Sequence, residues 1–263
     1  PERGSTVEWD AARVALLGQL IGDGSYLKGQ PLRYTTASEE NAAAVTEGAR
    51  SLGSQVRRYE GRGSWWQLLI SGNGDRWRPA GVGGWLKELG VFGQRSREKR
   101  VPAEAFRLSR PLQALLLRHL WATDGSIFVP AREGVTGPRV YFSTVSQGLA
   151  EDVAALLLRQ GIVARLKAPR RPVDAWQVDV SGAEHQQRFL ETVGAFGPRV
   201  EPARRLAEWL AERVPNTNRD TLPQQVFERV KAVAKAKGFS HRRLAAARGT
   251  SYGGQAHFAF APS

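Results

Sequence analysis

Two apolar runs with helical spacing, roughly a hundred residues apart, stand out in the pattern of hydrophobic and polar positions. Residues 14–22 form the first run and residues 112–123 the second, and each closes in Asp-Gly-Ser, at Asp23 and at Asp124. Elsewhere β-branched and aromatic residues alternate with polar ones, as in residues 177–181, which is the pattern of a half-buried strand. The pattern therefore predicts two apolar helices, each ending at an aspartate, among several strands.

The order of these elements occurs twice. Four further segments of the first half return in the second half in the same order: 34–38 as 142–146, 52–57 as 160–165, 66–72 as 176–182, and 89–93 as 193–197. Each copy predicts helix, two strands, helix, two strands, helix. The middle helices are predicted over 39–52 and 149–160, with Ser38 and Ser146 as N-caps. The fold class is α+β, a pseudo-twofold pair of αββαββα subdomains over 1–110 and 111–214.

A third segment, 215–263, carries eight basic residues against two acidic ones. Within it, residues 224–237 predict a basic amphipathic helix that stops at Gly238, and Ser240 predicts the cap of a shorter helix. Two short helices around a glycine turn resemble a helix-turn-helix, a motif whose second helix enters the major groove of DNA. The alternative is a small helical appendage that only packs.

Composition narrows the kinds of chemistry that the chain can perform. The 263 residues include no Cys and only four His, which excludes thiol nucleophiles and Cys-type zinc sites and leaves oxygen ligands for any metal. The formal charge of +13 and the pI of about 10.8 favour a polyanionic partner such as nucleic acid. No apolar stretch is long enough to span a membrane and no signal segment precedes the first helix, so we expect a cytoplasmic protein, associated with the nucleoid when bound to DNA.

The paired Asp-Gly helix ends suggest a metal site. Small residues at Gly18, Gly22 and Ala122 would let the two apolar helices approach closely and bring Asp23 near Asp124. A carboxylate at a helix C-terminus is disfavoured by the helix dipole, and two adjacent carboxylates raise one another's pKa. A hard divalent cation such as Mg²⁺ resolves this conflict, and it also activates water for phosphodiester hydrolysis.

These residues identify a family resemblance. The runs 16–24 and 117–125, above all Leu-Trp-Ala-Thr-Asp-Gly-Ser at 120–126, resemble the paired signature motifs of the LAGLIDADG homing endonucleases. The block at 99–102 and the tail segments 218–223 and 252–258 look like the endonuclease part of inteins in bacterial replicative helicases. Inteins that splice need a Cys or Ser at the first position and usually a terminal His-Asn. Since the sequence starts at Pro1 and stops at Ser263, we expect no splicing from it as given.

The resemblance implies a single-chain, monomeric nuclease that places two saddle-shaped antiparallel sheets in the major grooves of a long asymmetric duplex site and cuts both strands. It implies Mg²⁺ as the cofactor, with Mn²⁺ or Ca²⁺ able to substitute in binding, and with Asp23, Asp124, Gly22 and Thr123 as metal ligands. Lys99 matches the basic catalytic residue of the first half, and Arg204, or alternatively Arg199, would serve in the second. His119 stands where the motif usually has a small residue, which predicts a local kink or a buried hydrogen bond.

Base recognition is expected from polar residues on the strands, with Arg favouring guanine and Gln favouring adenine. The candidates are Lys28, Arg33, Arg57, Arg58 and Gln67 in the first half, Arg132, Arg139, Arg165, Lys167 and Gln177 in the second, and Arg242 and Arg243 in the tail. A contact to phosphate alone is the alternative for each of them.

The function expected from these features is sequence-specific cleavage of double-stranded DNA. The main alternative is a catalytically inactive DNA-binding regulator or an RNA-splicing maturase on the same fold. Retention of both aspartates favours the nuclease. An unrelated phosphate-handling enzyme is disfavoured because no Gly-Lys-Ser/Thr phosphate loop is present.

Overall fold

The computed structural model describes residues 7–61, 63–75, 77–130, 137–169, 171, 175–212 and 226–247. The chain divides into two compact units, Pro1–Arg213 and Val214–Ser263. In the first half of the larger unit the elements are α1 (Ala11–Asp23), β1 (Gly24–Ser25), β2 (Leu32–Thr36), α2 (Glu39–Ser51), β3 (Gln55–Glu60), β4 (Trp66–Ser71) and α3 (Gly81–Glu88). In the second half they are α4 (Arg110–Asp124), β5 (Gly125–Phe128), β6 (Arg139–Thr144), α5 (Gln147–Arg159), β7 (Ala164–Lys167), β8 (Trp176–Val180), α6 (Ala183–Thr192) and α7 (Val200–Ala211).

The two halves have the same topology, as the sequence repeat predicts. Each contains a four-stranded antiparallel sheet, in the order β1-β2-β4-β3 or β5-β6-β8-β7. Gly24 pairs with Tyr34 in the first sheet, and Gly125 pairs with Phe142 in the second, so the registers of the two sheets correspond. The predicted α+β pair of αββαββα subdomains is confirmed. The bounds 1–110, 111–214 and 215–263 stay predictions.

Alternation along the strands gives each sheet one buried and one open face. In β6, Val140, Phe142 and Thr144 are buried, whereas Arg139, Tyr141 and Ser143 are partly exposed. The buried positions contribute to one continuous apolar core that includes the helices of both halves. The open faces are therefore available to a ligand.

Helices α1 and α4 pack directly against each other at small residues. A Cβ atom added to Gly18 would lie 2.7 Å from the Cβ of His119, and one added to Gly22 would lie 2.0 Å from the Oγ1 of Thr123. The leucines at the contact are fully buried: Leu16, Leu17 and Leu20 of α1, and Leu116, Leu117 and Leu120 of α4. The close approach expected from the small residues is present, and glycine is the residue type that permits it.

The middle helices begin at the predicted caps. Ser38 Oγ accepts a hydrogen bond from the Asn41 N–H at 3.2 Å, and Ser146 Oγ accepts one from the Leu149 N–H at 3.1 Å. Helix α5 starts at Gln147, two residues before the predicted start, because the helix continues back to its Ser146 cap.

The smaller unit is described at two helices, α8 (Val226–Ala236) and α9 (His241–Ala247). Gly238 has a φ of +67 after α8, and Ser240 Oγ accepts a hydrogen bond from the Arg243 N–H at 3.2 Å. Both helices were expected in this segment. The tail motifs at 218–223 and 252–258 lie outside the described residues. Among the described helices of the whole chain, none has the length and apolar character that crossing a bilayer requires.

Candidate active site

The two aspartates occupy equivalent positions at the ends of the packed helices. Asp23 is the last residue of α1, Asp124 is the last residue of α4, and a glycine begins the next strand in each case. These glycines are extended, with φ of −79 for Gly24 and −81 for Gly125, and not left-handed as Asp-Gly helix stops often are. Glycine is needed here because a Cβ atom at Gly24 would lie 2.4 Å from the carbonyl oxygen of Leu20.

The carboxylates lie in an unfavourable electrostatic environment. Burial, followed by the nearby negative charge of Asp23, raises the pKa of Asp124 from 3.8 to about 6. Residue Asp23 is open to solvent on one side, but partial burial of its carboxyl raises the pKa of that group too, against the attraction of Lys99 and Arg199. An acid with a raised pKa gives up its proton more readily when a cation joins it.

Lys99 lies beside both aspartates and is buried. Its Nζ donates to the carbonyl oxygens of Gly22 at 2.6 Å and Gly24 at 2.9 Å, at the end of α1. Burial lowers the pKa of Lys99, and the charges of Asp124 and Asp23 oppose that shift. The sequence-predicted basic residue of the first half is thus placed next to the acids.

The segment that carries Lys99 is anchored to the second half. Ser146 Oγ donates to the Lys99 carbonyl oxygen at 2.8 Å, and the buried Asp152 carboxylate accepts from the Val101 N–H at 2.9 Å. The Arg100 guanidinium forms a bidentate ion pair with the Asp152 carboxylate, with Nε 2.7 Å from Oδ2 and Nη2 2.8 Å from Oδ1. Neither Ser146 nor Asp152 was predicted for this role, since their contacts join segments about fifty residues apart.

In the second half, Arg199 and not Arg204 lies at the acids. The Arg199 guanidinium donates to the carbonyl oxygens of Trp121 at 3.2 Å and Thr123 at 3.1 Å, and its charge opposes the rise that burial causes in the pKa of both aspartates. Arg204 instead pairs with Glu201 at 2.7 Å and with Glu208, on the exposed side of α7. If the spacing after Gly197 equalled that after Gly93, the counterpart of Lys99 would fall at 203–204, which favours Arg204 over the alternative, Arg199. In the second half a 3-10 turn leads directly into α7 and shortens that spacing.

The groups around Asp23 and Asp124 that could bind a divalent cation are oxygen donors. The two carboxylates are near enough for the charge of Asp23 to raise the pKa of Asp124. The carbonyl oxygens of the predicted ligands Gly22 and Thr123 accept hydrogen bonds from Lys99 and Arg199. Over the described ranges no third acidic or histidine side chain joins them. Two carboxylates completed by water are a donor set that suits Mg²⁺, so the residues fit the predicted metal. The ligand roles of Gly22 and Thr123 stay predictions.

His119 fits at the helix contact because its partner there is Gly18. The ring packs against Phe196 at 4.4 Å between ring centroids, and Nδ1 lies 3.1 Å from the Nε2 of Gln19. Burial lowers the pKa of His119 to about 4, so the ring is neutral at pH 7. Of the two predicted consequences, the structure has the buried hydrogen bond.

The candidates for base recognition in the first half do not all share one face. Arg33 and Arg57 both pair with Leu69 across the sheet, and Gln67 lies two residues along the same strand, so these three side chains lie on the open face. Arg58 points to the opposite face, where it stacks 3.8 Å from the Trp66 ring and pairs with Glu39. Lys28 is exposed in the loop before β2.

In the second half the described candidates cluster on the open face. Arg139 and Lys167 both pair with Asp179, at 3.0 and 2.5 Å, and Gln177 lies 3.3 Å from Arg139. Arg165 is opposite Asp179 in the sheet register. Asp179, buried beneath two cations, escaped sequence analysis because an acid on a basic surface gives no signal of its own. Arg132 lies outside the described residues, whereas Arg242 and Arg243 belong to α9 in the smaller unit.

Comparison with known proteins identifies related chains. Residues 111–194 match the LAGLIDADG-like domain family. The chain is similar to the replicative DNA helicase DnaB of Rhodothermus marinus, with 40% identity over 97% of this chain and 28% of that protein. It is similar to DnaB of Nostoc sp. at 37% identity, over 93% of this chain and 29% of that protein. The chain therefore spans under a third of the length of these relatives.

Solved structures resemble it at lower identity. Full-length DUF199/WhiA from Thermatoga maritima superimposes with a TM-score of 0.51 at 14% identity, covering 89% of this chain and 71% of that one. Mesophilic variants of the homing endonuclease I-DmoI give a TM-score of 0.47 at 14% identity, covering 70% of this chain and 95% of theirs. The first likeness extends over most of the chain and concerns the fold.

Proposed function

We propose that this chain, which is a LAGLIDADG-fold protein, is a divalent-metal-dependent endonuclease that cuts both strands of a specific duplex DNA site. One observation supports this above the others. Asp23 and Asp124, from equivalent helix ends, share a region in which Lys99 and Arg199 accompany them and burial raises the pKa of both acids. A carboxyl whose pKa is raised on folding destabilises the native state at neutral pH, whereas metal-assisted hydrolysis of a phosphodiester uses both the acids and the cations.

Each residue of the cluster has a distinct task. Asp23 and Asp124 would hold Mg²⁺, which when bound supplies a more acidic water and positive charge near the scissile phosphate. Lys99 and Arg199 are placed to neutralise the negative charge that develops on the phosphate oxygens during attack. Burial lowers the pKa of Lys99, and arginine side chains in general keep their proton, so Lys99 is the better of the two cations for exchanging a proton. The two halves are therefore chemically unequal.

DNA recognition is proposed for the open faces of the two sheets. Arg33, Arg57 and Gln67 serve the first face, and the cluster around Asp179 serves the second. Arg58, which lies on the other face, is assigned at most a phosphate contact. With on the order of ten phosphates neutralised, affinity should fall by several decades between about 50 and 200 mM salt. A flat dependence over that range would contradict this surface assignment.

The relation to helicases leads to a proposal about origin. Nearly the whole chain aligns with under a third of each DnaB relative. We propose that it is the nuclease segment of an intein-type insertion in such a helicase, acting as a monomer.

The decisive experiment is cleavage of a duplex that the protein itself selects. A randomised duplex library would be bound in Ca²⁺, recovered, and then incubated with Mg²⁺. We expect Asp23→Asn and Asp124→Asn to lose double-strand cleavage by at least about 10³-fold, as expected for loss of metal-assisted attack, with binding within a few-fold of wild type. Asp75→Asn is the matched control, since the Asp75 carboxylate accepts from the backbone N–H groups of Trp77 and Arg78 in an exposed turn and has no role in the proposed site. Cleavage at the wild-type rate by either active-site variant would refute the assignment.

The alternative is a DNA-binding regulator without nuclease activity. The basic helices α8 and α9, with Arg242 and Arg243 on α9, favour it as a second candidate. Tight, salt-dependent binding of the selected duplex by the wild-type protein, with no cleavage in Mg²⁺ or Mn²⁺, would decide for the regulator.

A further inference from the structure

A buried polar cluster lies between the two halves behind the acids. We call Gln19, Tyr34, Asn41 and His119 the Gln19 cluster. Tyr34 OH donates to Gln19 Oε1 at 2.5 Å, and Gln19 Nε2 lies 3.2 Å from Asn41 Oδ1 and 3.1 Å from His119 Nδ1. All four residues are buried. Both hydrogens of the Gln19 amide and its oxygen are therefore used, so the cluster has one defined arrangement.

The repeat shows that this cluster is not needed to build the subdomain. The sheet registers and helix caps make Leu120, Phe142 and Leu149 the second-half equivalents of Gln19, Tyr34 and Asn41. These three equivalents are fully buried and apolar. The second half thus forms the same fold with apolar side chains at these positions. Polar groups retained where apolar ones suffice indicate a task other than stability.

The cluster reaches the end of the helix that carries Asp124. Asn41 Nδ2 donates to the Ala122 carbonyl oxygen at 3.4 Å, while Arg199 donates to the carbonyl oxygens on either side, of Trp121 and Thr123. Three successive carbonyls of the last turn of α4, which have no partner within the helix, are therefore held by side chains. Asn41 belongs to the first half, so this contact crosses between the halves.

The end of α1 is held differently. There the N–H of Gly24 bonds back to the Leu20 carbonyl oxygen, and Lys99 takes the Gly22 and Gly24 carbonyls. The residue equivalent to Asn41 in the second half is Leu149, which has no side-chain donor to offer to α1. The two acidic helix ends are thus fixed by unequal sets of contacts.

We propose that the Gln19 cluster is a positioning device for the Asp124 end of the site, acting through the Asn41 contact with α4, so that one of the two strand cuts depends on it. The inference rests on the proposed nuclease function. Tyr34 and His119 orient Gln19, Gln19 orients the Asn41 amide, and Asn41 fixes the last turn of α4. None of these four residues is assigned a contact with DNA or metal.

The test uses Asn41→Asp and Asn41→Leu. The aspartate keeps the size and the acceptor towards Gln19 but replaces the donor facing Ala122 with an oxygen, and leucine is the residue that the second half carries at this position. Rates of nicking would be measured separately for each end-labelled strand of the selected duplex. For Asn41→Leu we expect one nick to slow about tenfold, the size expected for one buried hydrogen bond, and the other to stay within about twofold. Asn41→Asp, which also buries a carboxylate facing the Ala122 carbonyl oxygen, should slow the same nick by more than Asn41→Leu does. Equal slowing of both nicks, or of neither, would overturn the inference.

A second readout does not need an active enzyme. Amide hydrogen exchange at Thr123 and Asp124 should quicken in Asn41→Leu by about tenfold, while exchange at Gly22 and Asp23 stays unchanged. Thr46→Val is the control, because it removes a side-chain hydrogen bond to the Ala42 carbonyl on the same helix. Equal exchange at the two helix ends would overturn the positioning role.

The two proposals fail in different ways. If the wild-type protein nicks neither strand, the nuclease proposal fails, and hydrogen exchange still decides whether Asn41 fixes α4. If the wild-type protein cuts both strands and the Asn41 variants slow both cuts equally, the nuclease proposal stands and the positioning inference fails.

Discussion

Asp124→Asn should make the metal-free protein more stable at neutral and alkaline pH. The carboxylate of Asp124 must ionise among buried groups and beside Asp23, and asparagine is similar in size without the charge. The pKa of this acid rises from 3.8 to about 6 on folding, a value that already includes the attraction of Lys99 and Arg199. The ionised form of Asp124 is therefore less favourable in the native state than in the unfolded chain, where water solvates it.

The size and pH range of the effect follow from linkage. Each pKa unit corresponds to about 1.4 kcal/mol, so a shift of about two units costs wild type roughly 3 kcal/mol of unfolding free energy. Below pH 3.8 the acid is protonated in both states and contributes no penalty. The penalty grows between pH 3.8 and 6, because there the native state keeps its proton while the unfolded chain releases it, and it is constant above pH 6. We expect a gain from asparagine of about 1 kcal/mol at about pH 4.5 and about 3 kcal/mol at about pH 8.

Urea unfolding in EDTA at these two pH values measures the gain. Saturating Mg²⁺ should then narrow the difference in unfolding free energy between Asp124→Asn and wild type at the higher pH. A ligand that binds only the native state stabilises it, and wild type, which keeps both carboxylates, should bind Mg²⁺ more tightly. Asp75→Asn serves as the control of opposite sign, because backbone N–H groups hold the pKa of Asp75 below its usual value and its charge is favourable in the native state. An Asp124→Asn protein that is no more stable than wild type at the higher pH, or whose gain does not change with pH, would refute the reasoning.

Two further predictions concern packing and anchoring. Gly22→Ala should destabilise the protein by about 2 kcal/mol or more, because the new methyl group overlaps Thr123. Gly137→Ala is the control: a Cβ atom there meets nothing within 4 Å, so the unfolding free energy should change by less than about 0.5 kcal/mol. Thermal unfolding of the pair checks this, and equal losses would contradict the close helix packing. Asp152→Ala should cost about 2 kcal/mol, since it leaves the buried Val101 N–H without an acceptor and removes the ion pair with the half-exposed Arg100. Asp152→Asn should cost about half as much, because the amide oxygen still accepts from Val101. Urea unfolding distinguishes the two, and equal losses would mean that the backbone contact contributes nothing.

The helices, sheets and the equivalence of the halves can be predicted from the sequence because periodicity is a local property. The run around Leu17 repeats around Leu117 with the same Asp-Gly ending, and buried faces recur at helical spacing. The proximity of Asp23, Asp124 and Lys99 can be predicted as well, since each is tied to a motif, and their catalytic roles stay predictions. Features that depend on the three-dimensional path of a connection are harder to predict. Arg199 is the clearest case, because a shorter turn before α7 brings it to the acids in place of Arg204.

The face on which a strand residue lies is a second limit. Arg57 and Arg58 are adjacent basic residues, and composition treats them alike. The register places Arg57 opposite Leu69 on the open face and Arg58 opposite Leu68 on the buried one. A shift of register by one residue would exchange their roles, and no local pattern fixes that register. Asp179 shows a related limit: it contacts Arg139 and Lys167, and these three residues lie on three different strands, so their proximity cannot be seen from the sequence around any one of them.

The differences between the repeats carry more functional information than their similarities. Positions that agree, such as Ser38 with Ser146, build the fold in both halves. Two differences lie close to the acids. The cation beside them is Lys99 in the first half and Arg199 in the second, and Asn41 of the first half is replaced by Leu149 in the second. A symmetric protein would treat the two strands of DNA alike. These differences concern the groups that fix the two helix ends, and the second half folds with Leu149 at the position of Asn41, so we infer unequal demands on the two halves of the site.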